Sequence, residues 1–162
     1  MLWFRALLCG LFWFLKGCSP LLTSFPGGVQ DKLRQTYVRS IDDRRGQYMR
    51  LRLMQKIDSE NSDLYHYFLQ ISLDSNEHVL ALSEKGLAVR NRLTTKASYT
   101  LFDQNGDKLT SGELKAHGSY NLVENEIFAV TSARKMAEEA NIDCLTDNLI
   151  LNLAFFFERS EA

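Results

Sequence analysis

The sequence predicts an α+β domain, and three observations carry that prediction. Residues 87–122 fold back on themselves as a long hairpin centred on Asn105-Gly106. Residues 65–73 alternate apolar and polar with period two, and two segments, 42–57 and 126–158, have helical apolar spacing. The chain of 162 residues is 45% hydrophobic and 24% charged, which supports one core and argues against wholesale disorder. A formal charge of −1 leaves no general basic field for nucleic acid. Three scattered cysteines exclude a disulfide scaffold.

The chain opens on an address. Arg5 is followed by the uncharged, mostly apolar run Ala6–Leu15, closed by Lys16-Gly17-Cys18. A positive start, a short apolar run and a small residue before the cut describe a secretory signal over residues 1–17. The run is short of the roughly 20 residues a spanning helix needs; a retained signal anchor is the rival reading. Leu15-Lys16-Gly17-Cys18 resembles a bacterial lipobox, with Lys16 its one departure. That resemblance implies diacylglyceryl transfer to the Cys18 thiol and cleavage before it. Ser19, a non-acidic residue after the cysteine, fits outer-membrane sorting among such lipoproteins. Such a chain is periplasm-facing and anchored by its acyl groups, without a spanning helix. No cofactor is expected beyond this covalent lipid. Removal of Arg5 and Lys16 leaves 17 basic against 20 acidic residues, a charge of −3. Cys144 then has no partner and is read as a small buried hydrophobe.

Residues 18–30, with two prolines and Gly27-Gly28, read as a lipidated tether, and residues 31–162 as one domain. Thr36–Ile41 is a short strand. Asp42 or Asp43 then caps a helix running to Ile57, whose apolar stripe is Met49, Leu53 and Ile57. Gly46 costs that helix about 1 kcal/mol relative to Ala. Tyr65, Tyr67, Leu69, Ile71 and Leu73 mark one buried strand face, with Phe68 out of place on the polar side. A turn is expected at Asp74-Ser75-Asn76, with the sheet resuming over His78–Leu82.

A two-residue type I′ turn at Asn105-Gly106 makes facing residue numbers of the hairpin sum to 211. One face then pairs Leu93 with Gly118, Thr95 with Ala116, Ala97 with Leu114 and Tyr99 with Gly112. The other face carries Arg90, Arg92, Lys96, Glu113, Lys115 and His117. A slip of one residue would mix the two. In this register Lys96 opposes Lys115, which costs stability unless an anion sits between or above them. Arg90, Arg92, Lys96 and Lys115 are therefore candidate phosphate ligands, and a solvated charged face near Glu113 is the alternative.

The last segment is a helix, with Asn125 offering its cap, and it is apolar on two sides. Ala129, Ala133, Met136, Ala137, Ala140, Cys144, Leu151 and Phe155 form one stripe, expected to pack on the sheet. Ile142, Leu145, Leu149, Leu153 and Phe156 form the other. A partner or a membrane is expected to cover Leu145, Leu149, Leu153 and Phe156; the alternative is a central helix sandwiched by the chain itself.

Several stretches resemble one family. Ile41-Asp42-Asp43-Arg44-Arg45-Gly46-Gln47 is similar to its first helix opening, and Tyr65–Leu73 to its "Y-x-L-x-V-x-L" strand. Arg92–Leu101 with Asp103 and Gly106 resembles its long strand and turn. Tyr120-Asn121 and Phe128-Ala129 resemble its last strand and helix start. The chain is identified by these stretches as resembling the LPS-assembly lipoproteins, the LptE family. The resemblance implies an α/β sandwich, with two helices on one face of a mostly antiparallel four-stranded sheet. It implies a non-enzymatic plug in the lumen of an outer-membrane β-barrel LPS-assembly protein of the LptD type. It implies lipopolysaccharide as the cargo, and lipid A phosphates as the anion over the basic face. The alternatives are a free-standing periplasmic lipid-binding lipoprotein and a small envelope enzyme. The three histidines are far apart in sequence, and no G-x-S-x-G elbow or H-E-x-x-H spacing occurs.

The address gives a direct test. Cys18→Ala should yield an unacylated, uncut precursor by intact mass, while the wild-type protein carries lipid on a chain that begins at Cys18. A wild-type mature chain without lipid would overturn the assignment.

Overall fold

The structure is a computed structural model that describes residues 27–59, 64–123 and 126–160. The signal, Cys18 and the Asn125 cap lie outside the described residues. Elements run α1 (Gly27–Arg34), β1 (Thr36–Val38), α2 (Asp43–Ile57), β2 (Tyr67–Leu82), β3 (Ala88–Phe102), β4 (Lys108–Asn121) and α3 (Ile127–Arg159). The fold is α+β, a four-stranded sheet in the order β1-β2-β3-β4 with the helices packed on one face. β1 pairs parallel with β2, and the other pairings are antiparallel.

α1 is an addition to the sequence reading. Gly27–Gln30, expected in the tether, form its first half, and Val29 and Leu33 enter the core. α2 follows the sequence: Met49, Leu53 and Ile57 are all buried. Its start does not follow the cap rule. Asp42 makes no side-chain cap bond, and Asp43 adopts a φ of 78°. The Asp43 carboxylate accepts from the Arg44 amide at 2.7 Å and from the Arg45 guanidinium at 2.6 Å. Gly46 has a reason beyond propensity. A Cβ there would stand 2.5 Å from Ile41 Cγ2, so the small residue lets β1's exit pass under the helix.

β2 does not turn at Asp74-Ser75-Asn76. It runs unbroken for 16 residues, and those three pair with Lys96, Thr95 and Thr94 of β3. Only Tyr67–Leu69 of β2 meet β1, so among the described residues the rest of β2 and the outer side of β4 have no strand partner. Phe68 is also accounted for. On the uncovered face it contacts the Tyr37 ring at 6.1 Å, and the Arg39 guanidinium lies 6.0 Å from its centre.

The β3–β4 register is as the sequence reading gave it, from Arg90↔Asn121 through Leu101↔Thr110, although the turn that suggested it is different. Asp103 and Asp107 close the loop through Asp103 N–H to Asp107 O at 3.0 Å, and Gly106 N–H bonds Asp103 O. Only Gly106 has positive φ, so the loop has three residues rather than two. Phe102 pairs with Lys108, and the extra residue Leu109 restores the sum of 211 at Leu101↔Thr110. The β2–β3 loop is built alike. Ser83 N–H bonds Leu87 O, Gly86 N–H bonds Ser83 O, and Gly86 has a φ of 76°.

The C-terminal helix inverts the expected assignment. Leu145 and Leu149 are 0% exposed and Leu153 1%, inside one core with Met49, Leu53, Leu69, Ala97 and Leu101. Phe156 is half-buried against that core. The stripe expected to be the core is for the most part the outer one: Met136 is 67% exposed, Phe155 64%, and Ala129, Ala140 and Cys144 are exposed, while Ala133, Ala137 and Leu151 are half-buried and Ala137 lies against Gly118 of the sheet as expected. Leu145, Leu149 and Leu153 are thus no partner surface. Their stripe is extended by Thr146, Ile150, Ala154 and Phe157, all buried.

Leu149→Ala and Leu153→Ala should each cost about 2–5 kcal/mol of folding stability, from lost burial plus a cavity. Met136→Ala and Phe155→Ser should stay within about 0.5 kcal/mol. Denaturant midpoints decide it; equal costs for the two stripes would contradict the packing.

Candidate functional site

The uncovered face of the sheet displays the sequence-predicted cations, and the pairing places each of them. Arg90 and Arg92 stand on alternate residues near the start of β3. The Arg90 guanidinium donates to Ser119 Oγ at 2.7 Å, and Arg92 lies between His78 of β2 and Ser119 of β4. Lys96 and Lys115 are direct partners across β3 and β4. Glu113 lies with them: its carboxylate is 2.5 Å from Lys96 Nζ and 3.2 Å from Lys115 Nζ. Hydrogen bonds from Lys96 and Lys115 hold the Glu113 carboxyl below the usual glutamate range. The anion required by two facing lysines is therefore already in the chain.

The four cations form two pairs rather than one cradle. Arg92 and Lys96 are four residues apart on one strand, about 13 Å at 3.3 Å per residue. No single phosphate spans that distance. Between them, Thr94 and His117 are hydrogen-bonded at 3.0 Å. Three basic residues of α2 serve the fold. Arg52 bonds Asp143 at 2.9 Å, Lys56 pairs with Asp147, and Arg50 donates to Val38 O.

Two features were not anticipated. The first is a polar network where α3 crosses the covered face. Glu77 accepts from Tyr120 Oη at 2.8 Å and from Arg134 Nε at 2.6 Å, and Asn91 donates to the Tyr120 oxygen at 3.3 Å. Burial pushes the Glu77 carboxyl up, but the bonds from Tyr120 and Arg134 outweigh it, and its pKa lies below the ordinary value. Burial raises the Tyr120 phenol. The second is an apolar end. Val79, Leu80, Leu82, Leu87, Val89, Val123, Ile127 and Phe128 are exposed, Phe128 by 93%. The run Val79-Leu80-Ala81-Leu82 and the pair Ile127-Phe128 were the available signals.

Cys144 is exposed rather than buried, and its sulfur lies 3.5 Å from the Asn148 amide. Among the described residues no group of three or more His, Cys, Asp or Glu could hold a metal, and no helix is long and apolar enough to cross a membrane.

No family model and no curated protein sequence matches the chain. Solved structures do match its fold. A Caulobacter crescentus protein assigned as a lipoprotein has a TM-score of 0.67 at 19% identity, over 83% of this chain and 98% of its own. Rare lipoprotein B of Shewanella oneidensis has a TM-score of 0.61 at 12% identity, over 78% of this chain and 98% of its own. Lipoprotein B of Nitrosomonas europaea has a TM-score of 0.60 at 15% identity, over 76% and 83% respectively. At these identities the likeness is one of fold, and the chain has the fold of these bacterial lipoproteins.

The Glu77 network gives a pH test. Its folded-state pKa is depressed, so its contribution is present above the ordinary value of 4.5 and lost as pH falls through the folded value. Wild type should exceed Glu77→Gln by about 1–2 kcal/mol at pH 7, with the gap closing in acid. A gap that is absent at pH 7, or that widens in acid, would show that the network does not stabilise the fold.

Proposed function

We propose that this protein is a non-enzymatic outer-membrane lipoprotein, held by an acyl group on Cys18, that seats in a β-barrel partner and assists lipopolysaccharide insertion. The observation that carries the reading is a cation-bearing sheet face that no described helix covers, on a fold shared with bacterial lipoproteins. One side of the sheet is closed by helices, and the other keeps Arg90 and Arg92 on its surface. Such a face suits phosphate through bidentate guanidinium contacts. The exposed stripe of α3, with Met136, Ala140, Cys144 and Phe155, replaces the leucine stripe as the surface offered to a barrel wall. The sequence motifs, the lipobox and the shared fold support the same reading.

Glu113 satisfies Lys96 and Lys115, so Arg90 and Arg92 are the stronger candidates for lipopolysaccharide phosphate. Tagged full-length protein purified from outer membranes should carry one β-barrel protein in equal amount, with lipopolysaccharide bound. Arg90→Gln with Arg92→Gln should strip more lipopolysaccharide than Lys96→Gln with Lys115→Gln at matched low salt. Protein recovered alone, with neither barrel nor lipopolysaccharide, would overturn the proposal.

A further inference from the structure

Beyond Leu69 the outer edge of β2 has no strand partner among the described residues, and β1 tells which backbone groups point there. Leu69 O accepts from Arg39 N–H at 2.9 Å, and Tyr67 N–H bonds Gln35 O. Backbone groups of successive strand residues point to opposite sides. The odd-numbered residues of β2 therefore turn theirs toward β1 and, past its end, toward the open edge. Ile71, Leu73, Ser75, Glu77 and Val79 each offer an N–H and a C=O on that side.

Among the described residues nothing guards this stretch. Edge strands are ordinarily protected by Lys, Pro, a bulge or a covering element. Residues 70–79 contain no Lys, Arg or Pro, and the pairing with β3 is regular up to Val79, where the first register shift occurs. β4, the opposite edge of the sheet, carries Lys108 and Lys115 and lies under α3, with Gly118 against Ala137. α2 runs back from the stretch. It begins beside Leu73, where Asp43 and Leu73 line one groove of about 610 Å³, and ends beside α1, where Asp58 pairs with Arg34. Asn76, Glu77, His78 and Val79 are all exposed, Val79 by 57%.

Extended backbone with free donors and acceptors is completed by another extended backbone, and the side chains select which. An isologous contact sets one strand antiparallel to its own copy about a two-fold axis. With that axis at Asn76, Leu73 meets Val79 of the copy, Asp74 meets His78, and Ser75 meets Glu77. Odd residues then face odd ones, so their open N–H and C=O groups bond each other. The half-buried Leu73 covers the exposed Val79, and on the uncovered face of the sheet a carboxylate meets an imidazole. An axis at Ser75 would set Leu73 against Glu77, an axis at Asp74 or Glu77 would set two carboxylates face to face, and one at His78 would draw the pairing past the bulge. The strand complements itself in one register.

We propose that a second copy of this chain pairs antiparallel on Leu73–Val79 of β2, centred on Asn76, so that two domains share one continuous sheet. The proposal stands apart from the lipopolysaccharide reading. The paired segment is short, so the association is weak and concentration-dependent.

The test uses the full chain in dodecylmaltoside, with Cys144→Ala as the background. Sedimentation from about 1 to 200 µM should show a monomer–dimer equilibrium. Asn76→Lys and Asn76→Asp set like charges face to face at the axis. Each should weaken association about tenfold or more, and an equimolar mixture of the two should associate at least as tightly as wild type. Melting temperatures should match wild type, because Asn76 is exposed. At the axis the facing Cα atoms stand about 4.5 Å apart, so Asn76→Cys should form a disulfide dimer under mild oxidation. Asp74→Cys should form none, because two such residues would lie about 14 Å apart. A dimer left intact by Asn76→Lys, or cross-linked through Asp74→Cys rather than Asn76→Cys, would overturn the proposal. Monomer at every concentration would overturn it as well, and would leave the edge to a strand of another protein.

Discussion

The depth at which α3 lies on the sheet governs the rest of the domain, and one buried amide helps to set it. Asn141 is 3% exposed, and its Nδ2 donates to Leu93 O at 3.1 Å and Thr95 Oγ1 at 3.2 Å. Beneath it, Gly118 leaves room: an added Cβ would stand 3.0 Å from Asn141 Oδ1 and 3.2 Å from Ala137 O. A buried amide without its acceptors costs the full desolvation of its polar group, so the helix has one favoured seat. From that seat Leu145, Leu149 and Leu153 fall into the core, and Asp143 and Asp147 come within reach of Arg52 and Lys56. Gly112 serves the same purpose along the strand, lying under the Tyr99 ring, which fills the space a side chain would take.

Charge in this domain is divided between holding and offering. The acids of α3 bind the basic side of α2, and Glu77 ties β2 to β4 and α3 through Tyr120 and Arg134. Each exposed pair contributes little on its own, because solvent screens it. Their combined effect is on alignment, since they act between elements that the apolar core alone would let slide. On the other side of the sheet, Glu113 draws two lysines into the fold's own electrostatics. Toward the strand's other end, Arg90 bonds Ser119 Oγ, and neither it nor Arg92 makes an ion pair among the described residues. A count of basic residues on a face therefore overstates its capacity for anions.

The elements were legible where local pattern and tertiary demand agree. The stripe of α2 and the β3–β4 register are of that kind, because each is fixed by burial on one face. The hairpin register came out right although the loop has three residues, because Leu109 adds the residue that the longer loop removes. The Asp-Ser-Asn signal failed in β2 because pairing with β3 outweighs a local turn preference. α1 was hidden by two glycines in a segment too short to show periodicity. The stripes of α3 were both real, but periodicity cannot say which side faces the sheet. The small residues suggested close packing, while the true core stripe was interrupted by Asn141 and Thr146, which are polar and buried. The apolar end escaped notice because its residues belong to four different segments that only the fold brings together.

The shortness of β1 has a mechanical meaning. Three paired residues, the packing of Val29, Leu33 and Val38 and a few polar contacts such as Arg34 with Asp58 and Arg50 with Val38 O join the N-terminal elements to the main core. The β3–β4 ladder, by contrast, extends over almost the full length of both strands. Tension drawn through the N-terminal side would reach the weakest joint first, and α1 with β1 would peel away while the hairpin and α3 kept their shape. The domain thus has a graded resistance to load, with a lightly held N-terminal portion and a stiff body behind it.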